Sequence, residues 1–329
     1  MNTELLTLAQ AVERLLAADK ILLLCHKNPD GDTVGSAAAL LHALRAQGKT
    51  VGLACSDPIP PRYDHMQVTA FDGEFEPEYI VAIDVASLQL FGAGTVDWAQ
   101  KSDLCIDHHG SHSRYSDALV LDDKAAACAE IIYELLLEMG AEITPLIADC
   151  LYTGIATDTG CFKFANVTPA THRIAAALME HGCAYTKLNA HLFESKSRSQ
   201  LAVERQLLKN MEFYYKGRCA LTWLTLEDIE ATGAKPVDLE STTGIARAIE
   251  GVKIGVTMRQ QPSGSWKISV RAAEGVNASS VATAFGGGGH KGAAGCEVFG
   301  GLENAKQALL AEVARHLPSE DEPEGGEAD

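Results

Sequence analysis

Apolar residues come in short runs of two textures. Ile21–Cys25, Val51–Ala54, Ile80–Asp84 and Leu104–Asp107 are near-continuous apolar stretches of four or five residues. That is the length and texture of strands buried on both faces. Between and after them the spacing turns helical. Thr33–Gln47 is rich in Ala and Leu and stops at Gly48. Ala125–Gly140, Thr144–Ala156 and Thr168–Gly182 read the same way, the last ending in His181-Gly182 as a glycine cap. The first twenty residues also carry helical spacing, interrupted by Glu4, Glu13 and Arg14. Alternating strand and helix predicts an α/β domain, a mostly parallel sheet with helices on both faces.

The texture changes after Ser195–Met211, a charged helical stretch that reads as a connector. Cys219–Leu224, Lys253–Arg259 and Ser265–Arg271 look like strands, the last two joined by a hairpin loop at Gln260–Gly264. Leu239–Glu250 and Leu302–Leu317 look helical. The expected organisation is a first domain over 1–190, a helical linker over 191–213, a smaller α+β domain over 214–317, and a disordered acidic tail over 318–329.

Composition changes this picture in three places. The longest apolar runs fall far short of the ~20 residues of a membrane span, and the N-terminus lacks the pattern of a secretory signal. Nine cysteines are scattered with no Cys-x-x-Cys among them. This predicts a cytoplasmic protein without a disulfide framework or structural zinc. The net charge is −17, and Ser319–Asp329 alone holds six acids and no base. An acidic body is a poor sheath for long duplex nucleic acid, which needs clustered Lys and Arg. A short anionic substrate gripped by metals and a few cations remains compatible with it.

The unusual polar residues sit where a parallel sheet binds ligands, beyond the carboxyl ends of strands. His26-Lys-Asn-Pro-Asp30-Gly-Asp32 puts an imidazole and two carboxylates in seven residues, between a strand end and a helix start. Asp84 closes one apolar run and Asp107-His108-His109 the next. Thr157-Asp158-Thr159-Gly160 follows an apolar helix. Singly, such acids are more often helix caps or turn residues; together they form a candidate ligand set. Carboxylates and imidazoles without thiolates suit Mn²⁺, Mg²⁺ or Co²⁺. Two such ions roughly 3.5–4 Å apart stabilise both oxygens of an in-line displacement at phosphorus. The second singular feature is Gly286-Gly287-Gly288-Gly289-His290-Lys291. Four glycines make a poor helix or strand interior, but their amides can approach an anion. An arginine such as Arg271 suits a phosphate or carboxylate.

His26-x-x-x-Asp30-x-Asp32, Asp84, Asp107-His108-His109 and Asp158 resemble the four motifs of the DHH phosphoesterase superfamily. Gly286–His290, followed by Gly292-Ala-Ala-Gly295, resembles the signature of the DHHA1 domain, so the resemblance covers nearly the whole chain. It implies one divalent cation held by His26, Asp30 and Asp84, and a second held by Asp32, Asp84, His108 and Asp158. Asp84 would be the bridge, and the expected ion is Mn²⁺, with Mg²⁺ or Co²⁺ as substitutes. His109 would touch the scissile phosphate or leaving oxygen, and Asp107 would orient the histidines. Arg271, Gly287, Gly288, Gly289, His290 and Lys291 would hold the substrate. Asp84-Val-Ala-Ser87 lacks the second acid often found after that motif. The two-domain arrangement resembles the nanoRNase/pAp phosphatase branch. That implies hydrolysis of very short single-stranded RNA to 5′-mononucleotides and of 3′-phosphoadenosine 5′-phosphate to AMP, with the second domain closing over the cleft. The alternative is a phosphodiesterase for c-di-AMP or pApA. The sequence leaves monomer and homodimer both open.

Overall fold

A computed structural model describes residues 3–240 and 242–318. It divides into two compact units, the first ending at Ser195 and the second beginning at Lys196. Among the described residues no helix is long and apolar enough to cross a membrane.

The first unit runs β1 (Glu4–Leu5), α1 (Leu8–Ala17), β2 (Ile21–Leu24), α2 (Gly31–Ala46), β3 (Val51–Ala54), β4 (Tyr79–Ile83), α3 (Val96–Ala99), β5 (Leu104–Asp107) and β6 (Ala118–Leu121). It continues with α4 (Cys128–Glu138), α5 (Pro145–Asp158), α6 (Pro169–Glu180) and α7 (Tyr185–Asn189). The six strands form one parallel sheet in the order β1-β6-β5-β4-β2-β3. Its α/β class is the one expected, and the reason strands look apolar throughout is visible in β2. Ile21 and Leu23 join a core with buried residues of α1, α2, α4 and α5, while Leu22 and Leu24 join a second core on the opposite face with Phe91, Ala99 and Tyr115. That second face carries α3 and a 3₁₀ turn at Leu88–Leu90 rather than long helices.

In this first unit two strands escaped the sequence reading. The two-residue β1 is too short to show periodicity. The four-residue β6 (Ala-Leu-Val-Leu between Asp117 and Asp122) had the texture of its neighbours and was readable. Helix starts also shifted. The helix expected from Thr33 begins at Gly31, because Asp30 caps it through Oδ1, accepting from the amides of Asp32 and Thr33.

The chain enters the second unit through a π turn at Ala190–Glu194. There follow α8 (Arg198–Lys209), β7 (Glu212–Tyr214), β8 (Cys219–Leu224), α9 (Leu226–Thr232), α10 (Pro236–Glu240), β9 (Ile254–Gln260) and β10 (Trp266–Ala272). The unit ends with α11 (Ala278–Thr283), β11 (Gly288–Gly289), β12 (Ala293–Val298) and α12 (Leu302–His316). The sheet is mixed, ordered β11-β12-β10-β9-β8-β7, with only β8 and β9 parallel. Helices α11 and α12 cover one face against Trp266, Ile268 and Val270. Val203 and Leu207 of α8 bury against Leu224.

The helix expected over 239–250 does not form; α10 is followed by turns. Gly255 shows how that segment packs. A Cβ there would lie 2.4 Å from the Arg247 amide nitrogen. The segment therefore lays its backbone directly on β9. The tail expectation falls, beyond Pro318, outside the described residues.

Candidate metal centre

In the first sheet β2 has β3 on one side and β4 on the other, so the chain reverses its direction of travel between β2 and β4. Ligands bind at such a switch point. The segment His26–Asp32 runs from β2 into the first turn of α2, Asp84 follows β4, and Asp107 ends the neighbouring β5 with His108 and His109 after it. Asp158 arrives on the last turn of α5.

Packing between α2 and α5 sets that arrival. A Cβ on Gly31 would lie 2.4 Å from Thr157 Oγ1, one on Gly35 2.4 Å from the Cys150 carbonyl, and one on Gly154 2.7 Å from Asp32 Oδ1. The two helices approach so closely only because these three positions lack side chains. Sequence reasoning missed them, although Gly31 and Gly35, four residues apart in an apolar helix, were a usable signal.

Three triads of ligand atoms result, each within 4.8 Å: His26, Asp30 and Asp84; Asp32, His108 and Asp158; and Asp84, His108 and His109. Asp84 joins the two ends of the site. Its Oδ2 is 3.9 Å from His26 Nε2 and its Oδ1 3.4 Å from His108 Nε2. His26 Nε2 is 3.6 Å from Asp30 Oδ1, and His108 Nε2 is 3.4 Å from Asp158 Oδ2 and 3.8 Å from Asp32 Oδ2.

The surrounding hydrogen bonds prepare these atoms as ligands. His26 Nδ1 donates to the Lys27 carbonyl at 2.8 Å and His108 Nδ1 to the Ala125 carbonyl at 3.2 Å. With Nδ1 so engaged, each ring turns Nε2 to the carboxylates. Asp32 caps α4 across the fold, taking the Cys128 and Ala129 amides at 2.6 and 2.9 Å, while Ala127 offers no cap of its own. Asn166, also missed in the sequence, donates from Nδ2 to the carbonyls of Ala126 and Asp158 and ties α5 to that loop.

Strain and charge concentrate at the same place. Asp84 has φ +60, and Gly160, Cys161 and Phe162 follow Asp158 with φ +56, +60 and +62. Left-handed backbone costs non-glycine residues about 1–2 kcal/mol each and gathers at functional sites. Asp84 is 3% exposed. Burial, then Asp32, Asp30, Asp158 and Asp107, holds its carboxyl well above the usual range. Burial, then the charges of Asp32 and Asp30, push Asp158 up to about 9. Asp84 Oδ1 and His108 Nε2 are buried without a hydrogen-bond partner. Orphaned, crowded acceptors of this kind fit divalent cations, whose charge would relieve the repulsion.

A pH dependence follows. A carboxyl whose folded pKa lies above its unfolded value binds more protons folded than unfolded, so its stability contribution is lost as pH rises from about 4 towards about 9. A cation takes the deprotonated form. The rise in Tm caused by Mn²⁺ should therefore grow from about pH 5.5 to about pH 8.5 in paired calorimetric scans. An increment independent of pH would contradict the assignment of these carboxyls as ligands.

In the second unit Arg271, one residue before the end of β10, sits in register with Ala293. Its guanidinium donates to Thr243 Oγ1 at 3.1 Å and to the Val270 carbonyl. The glycine run lies at the same end of the sheet, with Gly288 and Gly289 forming an edge strand against Gly295 and Ala294. The run was expected to make a poor strand interior, and it is only at a sheet edge that two of its glycines pair. Gly287 and Gly289 are needed for close packing, since a Cβ on Gly287 would lie 2.2 Å from the Gly295 carbonyl and one on Gly289 2.6 Å from that of Ala293. The amides of Gly286, Gly287 and His290 donate to carbonyls of Thr283, Ala282 and Ala293. Much of the donor array expected for an anion is thus spent inside the fold. The side chains of His290 and Lys291 are exposed. Lys291 and Gly292 line a pocket of about 520 Å³ with Ala272, Glu274 and Asn277.

Residues 20–155 match the DHH family, N-terminal domain, and residues 223–317 match the DHHA1 domain. The chain belongs to the DHH family and is a phosphoesterase. Over 313 residues it is 31% identical to the bifunctional oligoribonuclease and PAP phosphatase NrnA of Thermus thermophilus, across 90% of each chain. It is 26% identical to the Bacillus subtilis protein of the same name, across 91% of this chain and 94% of that one. A solved structure of an exopolyphosphatase-related protein from Bacteroides fragilis, 25% identical, matches with a TM-score of 0.85 over 94% of this chain and 95% of that one.

Proposed function

We propose that the chain is a cytoplasmic two-metal hydrolase of very short oligoribonucleotides, releasing 5′-mononucleotides, and of 3′-phosphoadenosine 5′-phosphate. The observation that carries the reading is Asp84, one buried carboxylate whose two oxygens face separate His/Asp clusters. The resemblance to NrnA proteins along nearly the full chain supports the substrate class.

On this reading His26, Asp30 and Asp84 hold one cation, and Asp32, Asp84, His108 and Asp158 hold the other, with Mn²⁺ preferred on a donor set of oxygens and imidazoles. The cations would supply Lewis-acid stabilisation of both oxygens in an in-line displacement at phosphorus. The chain's own residues do the rest. His109 donates from Nδ1 to Asp107 Oδ1 at 2.8 Å, which leaves Nε2 for the substrate. Its side chain is 45% exposed. The Asp107 hydrogen bond, against the opposing effect of burial, raises its pKa. It can therefore keep a proton at Nε2 and deliver it to the leaving oxygen or a phosphoryl oxygen. Residues 1–190 perform the chemistry. Residues 214–317 hold the far phosphate through Arg271, His290, Lys291 and the glycine run Gly287–Gly289, and residues 191–213 link them. The acidic composition favours fragments over long duplexes.

A Mn²⁺ assay against RNAs of 2, 3, 5 and 24 nucleotides, 3′-phosphoadenosine 5′-phosphate, c-di-AMP, pApA and pyrophosphate tests this. The shortest RNAs should be cut about 100-fold faster than the 24-mer, a difference of nearly 3 kcal/mol. Equal rates on the 24-mer would remove the short-substrate claim. Preference for c-di-AMP would move the substrate to a cyclic dinucleotide.

A further inference from the structure

Five residues beyond Asp107 stands a histidine that neither metal cluster uses. The His112 side chain is fully buried and its Nδ1 accepts the Arg114 amide at 2.9 Å. A neutral ring with Nδ1 so occupied carries its proton on Nε2. Burial pushes its pKa down, which keeps it neutral. Nε2 lies 4.0 Å from Asp107 Oδ2, and neither atom has a hydrogen-bond partner among the described residues. The other Asp107 oxygen is crowded, taking the amides of His108 and His109 at 2.8 and 3.3 Å and the His109 ring at 2.8 Å.

The ring is also held in place. His112 stacks on Tyr115 with centroids 5.2 Å apart and planes 26° from parallel. Tyr115 donates its hydroxyl to the Val85 carbonyl at 3.0 Å, and the Ser113 amide donates to the Ala86 carbonyl at 2.8 Å. His112 is thus clamped between the end of β5 and the segment that follows Asp84. A buried donor and a buried acceptor facing each other across 4.0 Å form a contact that about 1 Å of movement closes. Hydrogen bonds of catalytic groups are often long without substrate and tighten when it binds.

We propose that His112 is a positioning residue: its Nε2–H engages Asp107 Oδ2 and holds the carboxylate so that Oδ1 keeps the His109 Nδ1–H bond and the His109 Nε2 edge stays turned to the phosphoester. The proposal rests on the phosphoesterase reading above. Its chemistry is a tautomer held by a carboxylate that is itself held, as with outer partners of ligand histidines.

The test uses the full chain and two variants. His112→Phe keeps the ring and removes the donor, while His112→Gln returns an N–H donor. His112→Phe should lower kcat about tenfold, with KM for a dinucleotide and Kd for Mn²⁺ within about twofold, and His112→Gln should recover most of the loss. Long-range ¹H–¹⁵N spectra of metal-free protein should show His112 as the Nε2–H form and His109 as the Nδ1–H form. In His112→Phe the His109 signals should become a mixture. An unchanged kcat, a loss that tracks weaker Mn²⁺ binding or lower Tm, or an unaltered His109 tautomer overturns the proposal. Inactivity of the wild type on every phosphoester would instead defeat the functional reading, and the spectra would still decide whether His112 governs His109.

Discussion

Replacing Asp84 with Asn should abolish Mn²⁺-dependent hydrolysis, by about 10³-fold or more, while making the metal-free protein more stable. The two effects have opposite signs for one reason. Asp84 is a buried carboxyl crowded by four others. At neutral pH its charge or its retained proton is a burden on the fold, and a neutral isostere removes it. Asn also tolerates the left-handed backbone that φ +60 imposes. A gain of about 1 kcal/mol would appear as roughly 2–4 °C in Tm for a domain of this size. The same carboxylate is the one whose oxygens face His26 on one side and His108 on the other. Its loss should erase the Tm rise that Mn²⁺ gives the wild type. Calorimetry with and without Mn²⁺, beside a single-turnover assay, measures all three. A variant that keeps its hydrolysis would show that Asp84 bridges nothing. Sites that trade stability for activity in this way are a general expectation.

The second large effect is expected at a residue with no polar atom in its side chain. Gly154→Ala improves helix propensity by about 1 kcal/mol. Yet its new methyl group would stand 2.7 Å from Asp32 Oδ1 and 2.7 Å from Ala129 Cβ. Overpacking a close-packed core costs about 1–3 kcal/mol, so the balance is destabilising by roughly 1 kcal/mol. Function should suffer more. Asp32 is anchored on both oxygens by the first amides of α4 and by Ser36 at 3.1 Å, so it can yield only by breaking those bonds. Displacing a supported ligand typically weakens metal binding about 10–100-fold. Gly94→Ala, where a Cβ would meet nothing within 4 Å, is the control. Mn²⁺ titration of the three proteins decides the matter; wild-type affinity in Gly154→Ala would refute the packing argument.

The two kinds of residue differ in how they show themselves in the chain. His26, Asp30, Asp32, Asp84, His108 and Asp158 were legible because each interrupts or ends an apolar run at a strand or helix terminus. Local pattern exposes such residues, since an isolated charge at a buried end has few structural uses. Even so, the bland reading was also right for two of them. Asp30 caps α2 and Asp32 caps α4. In this site a capping carboxylate and a candidate ligand are the same group.

The glycine run shows the converse. Its composition suggested free amides, but α11 and β12 claim several of them, and it was close packing that required the glycines. That could not be read locally, because β12 itself went unrecognised and its pairing depends on residues several positions away.

By itself, then, the sequence determined the α/β class, the strand ends at which chemistry could sit, and the residue types able to bind cations there. These follow from periodicity and from the rarity of acids and histidines at the ends of buried strands. Only the tertiary structure decided that Asp158 reaches Asp32 and His108, since that depends on glycines of α2 and α5 more than a hundred residues apart. It alone put Asp84 in a left-handed conformation between two histidines, and His112 behind Asp107. Those relations are made by packing across the chain, where distance in sequence carries no information about distance in space.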